Sequence, residues 1–297
     1  MAFDLSGLSS YVDENSFDLI SKTVLTTDLA SYLNVRVGLK GDTVKIPLLA
    51  GDFTTQDGAA CGFNASGDTD ITQVTMDIAN RKFNQVYCAQ TLRDYFMSQS
   101  LAAGAMTGGE SLPFEALMAD YYVQNLKKYN ENFLINGEGA IPGYNTLIQV
   151  ANGAVAQTTV APATWTSSNA IAQAQSLAEA IPSEVADRND LIMVVSPAAL
   201  RALRLNITQA NYYHIAPGED VFVPGTSVKV VASGGLVGSD YAFAGPASML
   251  IMGSDLTSDF EQFKLFYSED NDEIRAIMRW RLGVAVTEVN MFAENTL

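Results

Sequence analysis

The stretch "YSEDNDEIRAIMRWRLGVAV", Tyr267–Val286, gathers Glu269, Asp270, Asp272 and Glu273 around one Asn and then runs into a sustained alternation. The acidic knot reads either as a cation or catalytic site or as the turn of a long hairpin. It does not fit the calcium-loop pattern D-x-[DN]-x-[DN]-G with Glu at the twelfth position, so the solvated turn is the reading carried forward and a weak cation site the alternative. Behind the knot, Ile274, Ala276, Met278, Trp280, Leu282, Val284 and Val286 alternate with Arg275, Ile277, Arg279, Arg281, Gly283 and Ala285. That is the period of a strand with one face in the core. At about 3.3 Å per residue, Ile274 to Thr287 extends roughly 46 Å, against roughly 17 to 20 Å for an ordinary strand. The preceding "FKLFY", Phe263–Tyr267, supplies an antiparallel partner for less than half of it. The remainder is then expected to be an open edge, which proteins avoid or use to join chains. Arg275, Arg279 and Arg281 on the opposite face are natural partners for acidic surfaces on a neighbouring copy.

Working outward, the chain has 297 residues, 48% of them hydrophobic, enough for a large core in one elaborated domain or two. Its 17 Lys and Arg face 33 Asp and Glu, a formal charge of -16, which argues against a specific DNA reader. The start, "MAFDLSGLSSYVDENS", lacks the basic and apolar regions of a secretory signal, so export is not expected. The most apolar window, Tyr241–Gly253, is broken by Gly245 and Pro246 and is too short to span a bilayer. Cys61 and Cys88 are not in CxxC spacing and read as reduced thiols of a cytoplasmic protein, with a single disulfide as the alternative.

Residues 1–42 read as an arm. From Thr43, Val44, Ile46 and Leu48 alternate with polar neighbours, and later Val74, Met76 and Ile78 do the same, predicting two half-buried strands. Between them "AGDFTTQDGAACGFNASGDTD" is too long for a tight turn and reads as the tip of a protruding two-stranded loop. "RKFNQVYC" is a third extended run, followed by a short helix carrying Leu92, Tyr95 and Phe96. A helix over Ser111–Ile135 is the strongest in the chain: Ser111 caps it, Pro113 and Glu115 suit its first turn, and Phe114, Leu117, Met118, Tyr121, Val123, Leu126, Tyr129 and Phe133 supply its apolar positions. From Gly137 to Met252, helix signals at Ser167–Ala180 and Ser196–Leu205 mix with the strand-like "LIMVV", "VKVVA" and "YAFAG", predicting a globular α/β or α+β block.

Little of the sequence speaks for an enzyme, and no cofactor or metal is expected. His214 is the only histidine, which removes paired-histidine zinc sites and leaves a Ser-His-Asp set without a GxSxG elbow to support it. "GEGAIPG" misses the GxGxxG spacing and no GxxxxGK[ST] occurs. Glu219 and Asp220 follow Pro217-Gly218 and read as a solvated turn. A carboxylate glycosidase would need two carboxyls about 5 to 9.5 Å apart in a cleft, and no pair stands out. A purely β fibre module does not suit the long helix and the central α/β block.

The order of arm, extended loop, long helix, α/β block and terminal strands resembles the major capsid proteins of tailed bacteriophages, the Hong Kong 97-like capsid fold. "GSDLTSDFEQFKLFYSEDNDEIRAIMRWRLGVAV" looks like the C-terminal end common in that family. The resemblance implies an α+β phage major capsid fold with an N-terminal arm (1–42), an extended β-hairpin loop (43–90), a spine helix in the first part of a peripheral domain (91–136), an axial α/β domain (137–252) and a second peripheral part with long antiparallel strands (253–297). It further implies a homo-oligomer of hexamers and pentamers closing into an icosahedral shell around double-stranded DNA. Scaffold, portal and possible decoration proteins would be its partners, the virion capsid its location, and the host bacterial cytoplasm its place of assembly. The extended loop would lie over a neighbouring subunit, and Arg275, Arg279, Arg281, Lys45 and Phe53 are the expected subunit-interface residues. No charged helical scaffolding segment precedes the arm, which implies a separate scaffold. No lysine stands at the loop tip, so no Lys–Asn cross-link is expected. An encapsulin-type compartment is the alternative within the same fold.

Overall fold

A computed structural model describes residues 29–39, 41–51, 69–88, 114–157, 159–210, 219–254, 262–268, 270–271 and 273–295. Two mixed layers share one core. The first sheet is built on β13 (Glu273–Val286), the stretch of alternating residues behind the acidic knot. β12 (Gln262–Ser268) returns along it antiparallel, with Ser268 opposite Glu273, so the knot closes a hairpin. Asp270 and Asn271 are its exposed turn, while Glu269 and Asp272 lie outside the described residues.

The expected open edge of β13 is absent. β11 (Leu250–Ser254) pairs with Leu282–Val286. On the other side β3 (Thr69–Cys88) pairs with Glu273–Gly283. The sequence divides β3 into two runs, but it is one strand of 20 residues. Its first part, Thr69–Asp77, pairs with β2 (Thr43–Gly51), and its second part, Ile78–Cys88, pairs with β13. The returning limb of the extended loop therefore satisfies the long strand from within the same chain, so the edge argument for a neighbouring subunit fails. β1 (Asn34–Val37) adds in parallel to β11 and completes the order β1-β11-β13-β3-β2. Leu29, Ala30 and Leu33 just before it are buried, so this end of the arm belongs to the core.

Alternation in β13 has the expected consequence: Ala276, Met278, Trp280, Leu282, Val284 and Val286 are all buried. They pack against α1 (Phe114–Asn136), whose core stripe runs through Tyr122, Leu126 and Phe133. The stripe takes Tyr122 and leaves Tyr121 52% exposed, because a tyrosine one turn before Leu126 lies over the sheet and its hydroxyl meets that of Tyr87 at 2.8 Å. Trp280 sits edge-on to Tyr129, 5.7 Å between centroids, and its Nε1 donates to Asn130 Oδ1 at 3.2 Å.

After the small pair β4 (Gly137–Glu138) and β5 (Ile141–Pro142), α2 (Tyr144–Leu147) leads into the second sheet. That sheet contains β6 (Val155–Ala156), β7 (Leu191–Val195), β8 (Val221–Phe222), β9 (Lys229–Ala232), β10 (Ala242–Pro246) and β14 (Ala293–Asn295), in the order β6-β14-β10-β7-β9-β8. Every residue of β7 is buried, as a continuous apolar run requires. α3 (Ala170–Glu179) and α4 (Pro197–Gln209) cover one face. Ser196 caps α4 by accepting from Ala199 N at 3.2 Å, with Pro197 in the first turn, and the helix runs past Leu205 to Gln209. Ile192, Val194, Val231 and Phe243 face the other way, into the core shared with α1 and β13. The end of α1 is fastened to the turn Gly234–Leu236: Glu131 Oε2 accepts from Gly234 N at 3.0 Å and Asn136 Nδ2 donates to Gly235 O at 2.8 Å.

Candidate assembly surface

Register assigns the polar face of the first sheet residue by residue. Arg281 stands opposite Asn80, Arg279 opposite Lys82, Ile277 opposite Asn84 and Arg275 opposite Val86. β12 continues the row by placing Gln262 opposite Arg279 and Lys264 opposite Ile277. Arg275 reaches Glu273 at 3.4 Å. Arg281 donates through Nε to Asn80 Oδ1 at 2.5 Å and lies 3.5 Å from Asp42. Arg279 and Lys82 are both exposed, two like charges directly across a strand pair, an arrangement that disfavours the isolated chain. Val86, 53% exposed, adds an apolar spot to the same face.

The three predicted arginines are thus brought together on one surface. Lys45 is not: it is exposed on β2 opposite Thr75, and strand parity puts that pair on the other side of β3 from Lys82. Phe53 lies outside the described residues. Lys82 was not among the residues picked from the sequence, because its place beside Arg279 follows only from the pairing of β3 with β13. The hairpin of β2 and β3 has the opposite character. Between Ile46 and Asn80 it carries Asp52, Asp57, Asp68, Asp70 and Asp77 and neither Lys nor Arg. One chain therefore carries a basic sheet face and, between the two strands of this hairpin, an acidic run of sequence.

On the other face of the sheet, α1 and β3 enclose a cleft of about 450 Å³ lined by Arg81, Phe83, Tyr121, Tyr122, Tyr129 and Trp280. Arg81 is held by Glu138 at 3.1 Å and lies 4.8 Å from the Phe133 ring centroid. Tyr129 donates to Glu138, and burial first, then that hydrogen bond, pushes its phenol up to about 12. Arg81, Glu138 and Tyr129 thus hold one another in place along the cleft. Among the described residues no three Asp, Glu, His or Cys side chains converge as metal ligands. Nor is any helix there long and apolar enough to cross a membrane. Glu219 and Asp220 are exposed, the latter 2.7 Å from Lys229, and Cys88 is exposed at the end of β3; His214 and Cys61 lie outside the described residues.

No family model and no curated protein matches the chain. Solved structures do. The satellite phage P4 procapsid including size determination (Sid) protein matches with a TM-score of 0.62 at 10% identity, over 94% of this chain and 90% of that one. The capsid of an empty GTA particle matches with a TM-score of 0.58 at 13% identity, over 91% and 89%. A chain of Mycobacterium phage Ogopogo matches with a TM-score of 0.57 at 13% identity, over 90% of each. Sequence identity this low leaves the likeness one of fold, and it extends over almost the whole length: the chain has the fold of the tailed-phage major capsid proteins.

Proposed function

We propose that this chain is a major capsid protein whose copies assemble as hexamers and pentamers into an icosahedral shell enclosing double-stranded DNA. The observation that carries the reading is the presence, on one chain of capsid fold, of a basic sheet face around Arg279 and Lys82 and an acidic run of sequence between β2 and β3. Two complementary surfaces at different places on a subunit make head-to-tail contacts, which form rings where the rotation between subunits closes. In this reading the acidic loop of one subunit, Phe53 included, lies over a neighbour and meets Arg275, Arg279 and Arg281, while Lys45 lies at the base of the loop. The peripheral domain combines α1 with β12 and β13, and residues 137–252 form the axial domain. The subunit performs no turnover. In this reading a separate scaffold and a portal act during assembly in the host cytoplasm.

Expression with the scaffold protein and negative-stain microscopy tests this. Wild type is expected to give closed particles. Arg279→Glu with Lys82→Glu is expected to leave a folded subunit by circular dichroism and no particles. Particles unchanged by that double reversal would overturn the interface. A wild type that stays monomeric at high concentration with scaffold present would overturn the function. Particles filled with a cargo enzyme in place of DNA would assign the chain to the compartment shells.

A further inference from the structure

Pairing with β13 moves the open edge one strand outward. β3 has β13 on one side from Ile78 to Cys88, and β2 pairs only with Thr69–Asp77, so among the described residues no strand lies along the far side of Arg81–Tyr87. At about 3.3 Å per residue that stretch offers roughly 20 Å of edge, the length of an ordinary strand. Burial records the opening. In β13 the core-facing Ala276, Met278 and Trp280 are closed off, whereas their cross-strand partners Gln85, Phe83 and Arg81 on the same face are only half-buried. The cleft beside α1 lies along this edge: Asn80 and Lys82, on the polar face, line it together with Arg81 and Phe83, on the core face, so it opens around the flank of the strand. Its inner wall is aromatic. Phe83 meets Tyr122 edge-on at 5.7 Å between centroids, and Tyr122 meets Tyr121 at 6.0 Å. Glu138, the one carboxylate among the described residues lining it, is taken by Arg81 at 3.1 Å.

An unpaired edge presents a row of N–H and C=O groups whose spacing another extended backbone matches, and strand addition of this kind takes its affinity from the main chain and its specificity from alternate side chains. Here the two faces of the incoming strand meet different surroundings. One faces the aromatic cleft; the other faces Lys82, with Arg279 behind it across the ladder, which attracts carboxylates and repels a basic chain. We infer that the edge Arg81–Tyr87 is a docking site for an extended segment of a partner polypeptide in which apolar residues, seated in the cleft, alternate with acidic ones, placed beside Lys82. The main chain of β3 supplies the hydrogen bonds, Phe83, Tyr121 and Tyr122 receive the apolar side chains, and Lys82 selects for acid. The site shares Lys82 with the ring contact proposed above but not its occupant, and its test needs no particles.

Hydrogen exchange of the full-length subunit, expressed without scaffold, tests the site with acetylated and amidated Asp-Phe-Asp-Leu-Asp-Phe-Asp as the probe. In the free subunit the amides of Arg81–Tyr87 that point away from β13 are expected to exchange fast, and saturating peptide to slow them about tenfold. The same peptide N-methylated at alternate residues along its pairing edge is expected to give no protection, and neither is the block order Asp-Asp-Asp-Asp-Phe-Leu-Phe. Lys82→Glu, folded by circular dichroism, is expected to weaken binding of the alternating peptide several-fold. No protection by the alternating peptide, or equal protection by the N-methylated one, would overturn the proposal. So would amides that are already slow without peptide: slow at every concentration, they would mean that the chain covers its own edge, and slow only at high concentration, that a second copy does.

Discussion

Trp280 bears on the whole reading of β13, because parity puts it either in the core or on the arginine face. It is buried against Tyr129 and supplies the hydrogen bond that Asn130 Oδ1 accepts. Trp280→Ala is therefore expected to cost about 3 to 5 kcal/mol in urea denaturation, combining a cavity with a lost buried donor. A second residue ties acid stability to one ion pair. Arg188 holds Asp190 through bonds of 2.8 and 2.9 Å, Ser248 adds a third at 2.6 Å, and the first of these partners chiefly lowers the carboxyl to about 2. A lowered pKa stabilises the fold above the ordinary carboxylate range, and that contribution is lost as pH falls from about 4 through about 2. With a third of the side chain exposed, solvent screening reduces it to about 1 kcal/mol. Asp190→Asn is expected to lose that amount at neutral pH, and the stabilities of the two proteins should draw together below about pH 4 and converge only at about pH 2 and below.

At the scale of elements, the joint between α1 and the Gly234–Leu236 turn is too tight for a side chain. A Cβ on Gly235 would stand 2.6 Å from Glu131 O and 2.8 Å from Ile135 Cβ, so Gly235→Ala is expected to lower stability by about 1 to 3 kcal/mol in thermal melts. Elements whose pattern is local were legible in the sequence: α1, α4, β7 and β13 all fall where periodicity, capping or a continuous apolar run puts them. What pairs with what was not. The division of β3 at "ANRK" is where its partner changes, and the polar residues there mark a change of environment rather than the end of a strand. Register between Ile78 and Gly283 is fixed by contacts distant in sequence, which one strand's alternation does not encode. The same gap hid the full basic face of the sheet. Its arginines were visible as a row, but the place of Lys82 beside them and the separation of Lys45 follow only from pairing.

For the whole molecule, the charge distribution predicts how assembly responds to its surroundings. Near 1 M salt the screening length falls to about 3 Å, so contacts between the acidic hairpin and the basic face are expected to weaken, and light scattering should record slower or incomplete particle formation. Replacing residues 52–68 by a short turn leaves the ladder from Thr43–Asp77 to Gly51–Thr69 intact. The shortened chain is expected to melt within a few degrees of wild type, since the ladder and the core beneath it are kept, and to form no particles by electron microscopy. The partner change in β3 also gives the subunit mechanical properties. Val74, Met76 and Ile78 still pack on the sheet with Ile251 and Ala285, and at about 3.3 Å per residue Thr69–Gln73 extends roughly 16 Å past them, with no hinge loop between the two parts of β3. It works as a short cantilever rooted in that packed segment: a tilt of about 5° at the root moves its far end by roughly 1.4 Å, and a load at that end is carried by peptide bonds straight into the sheet.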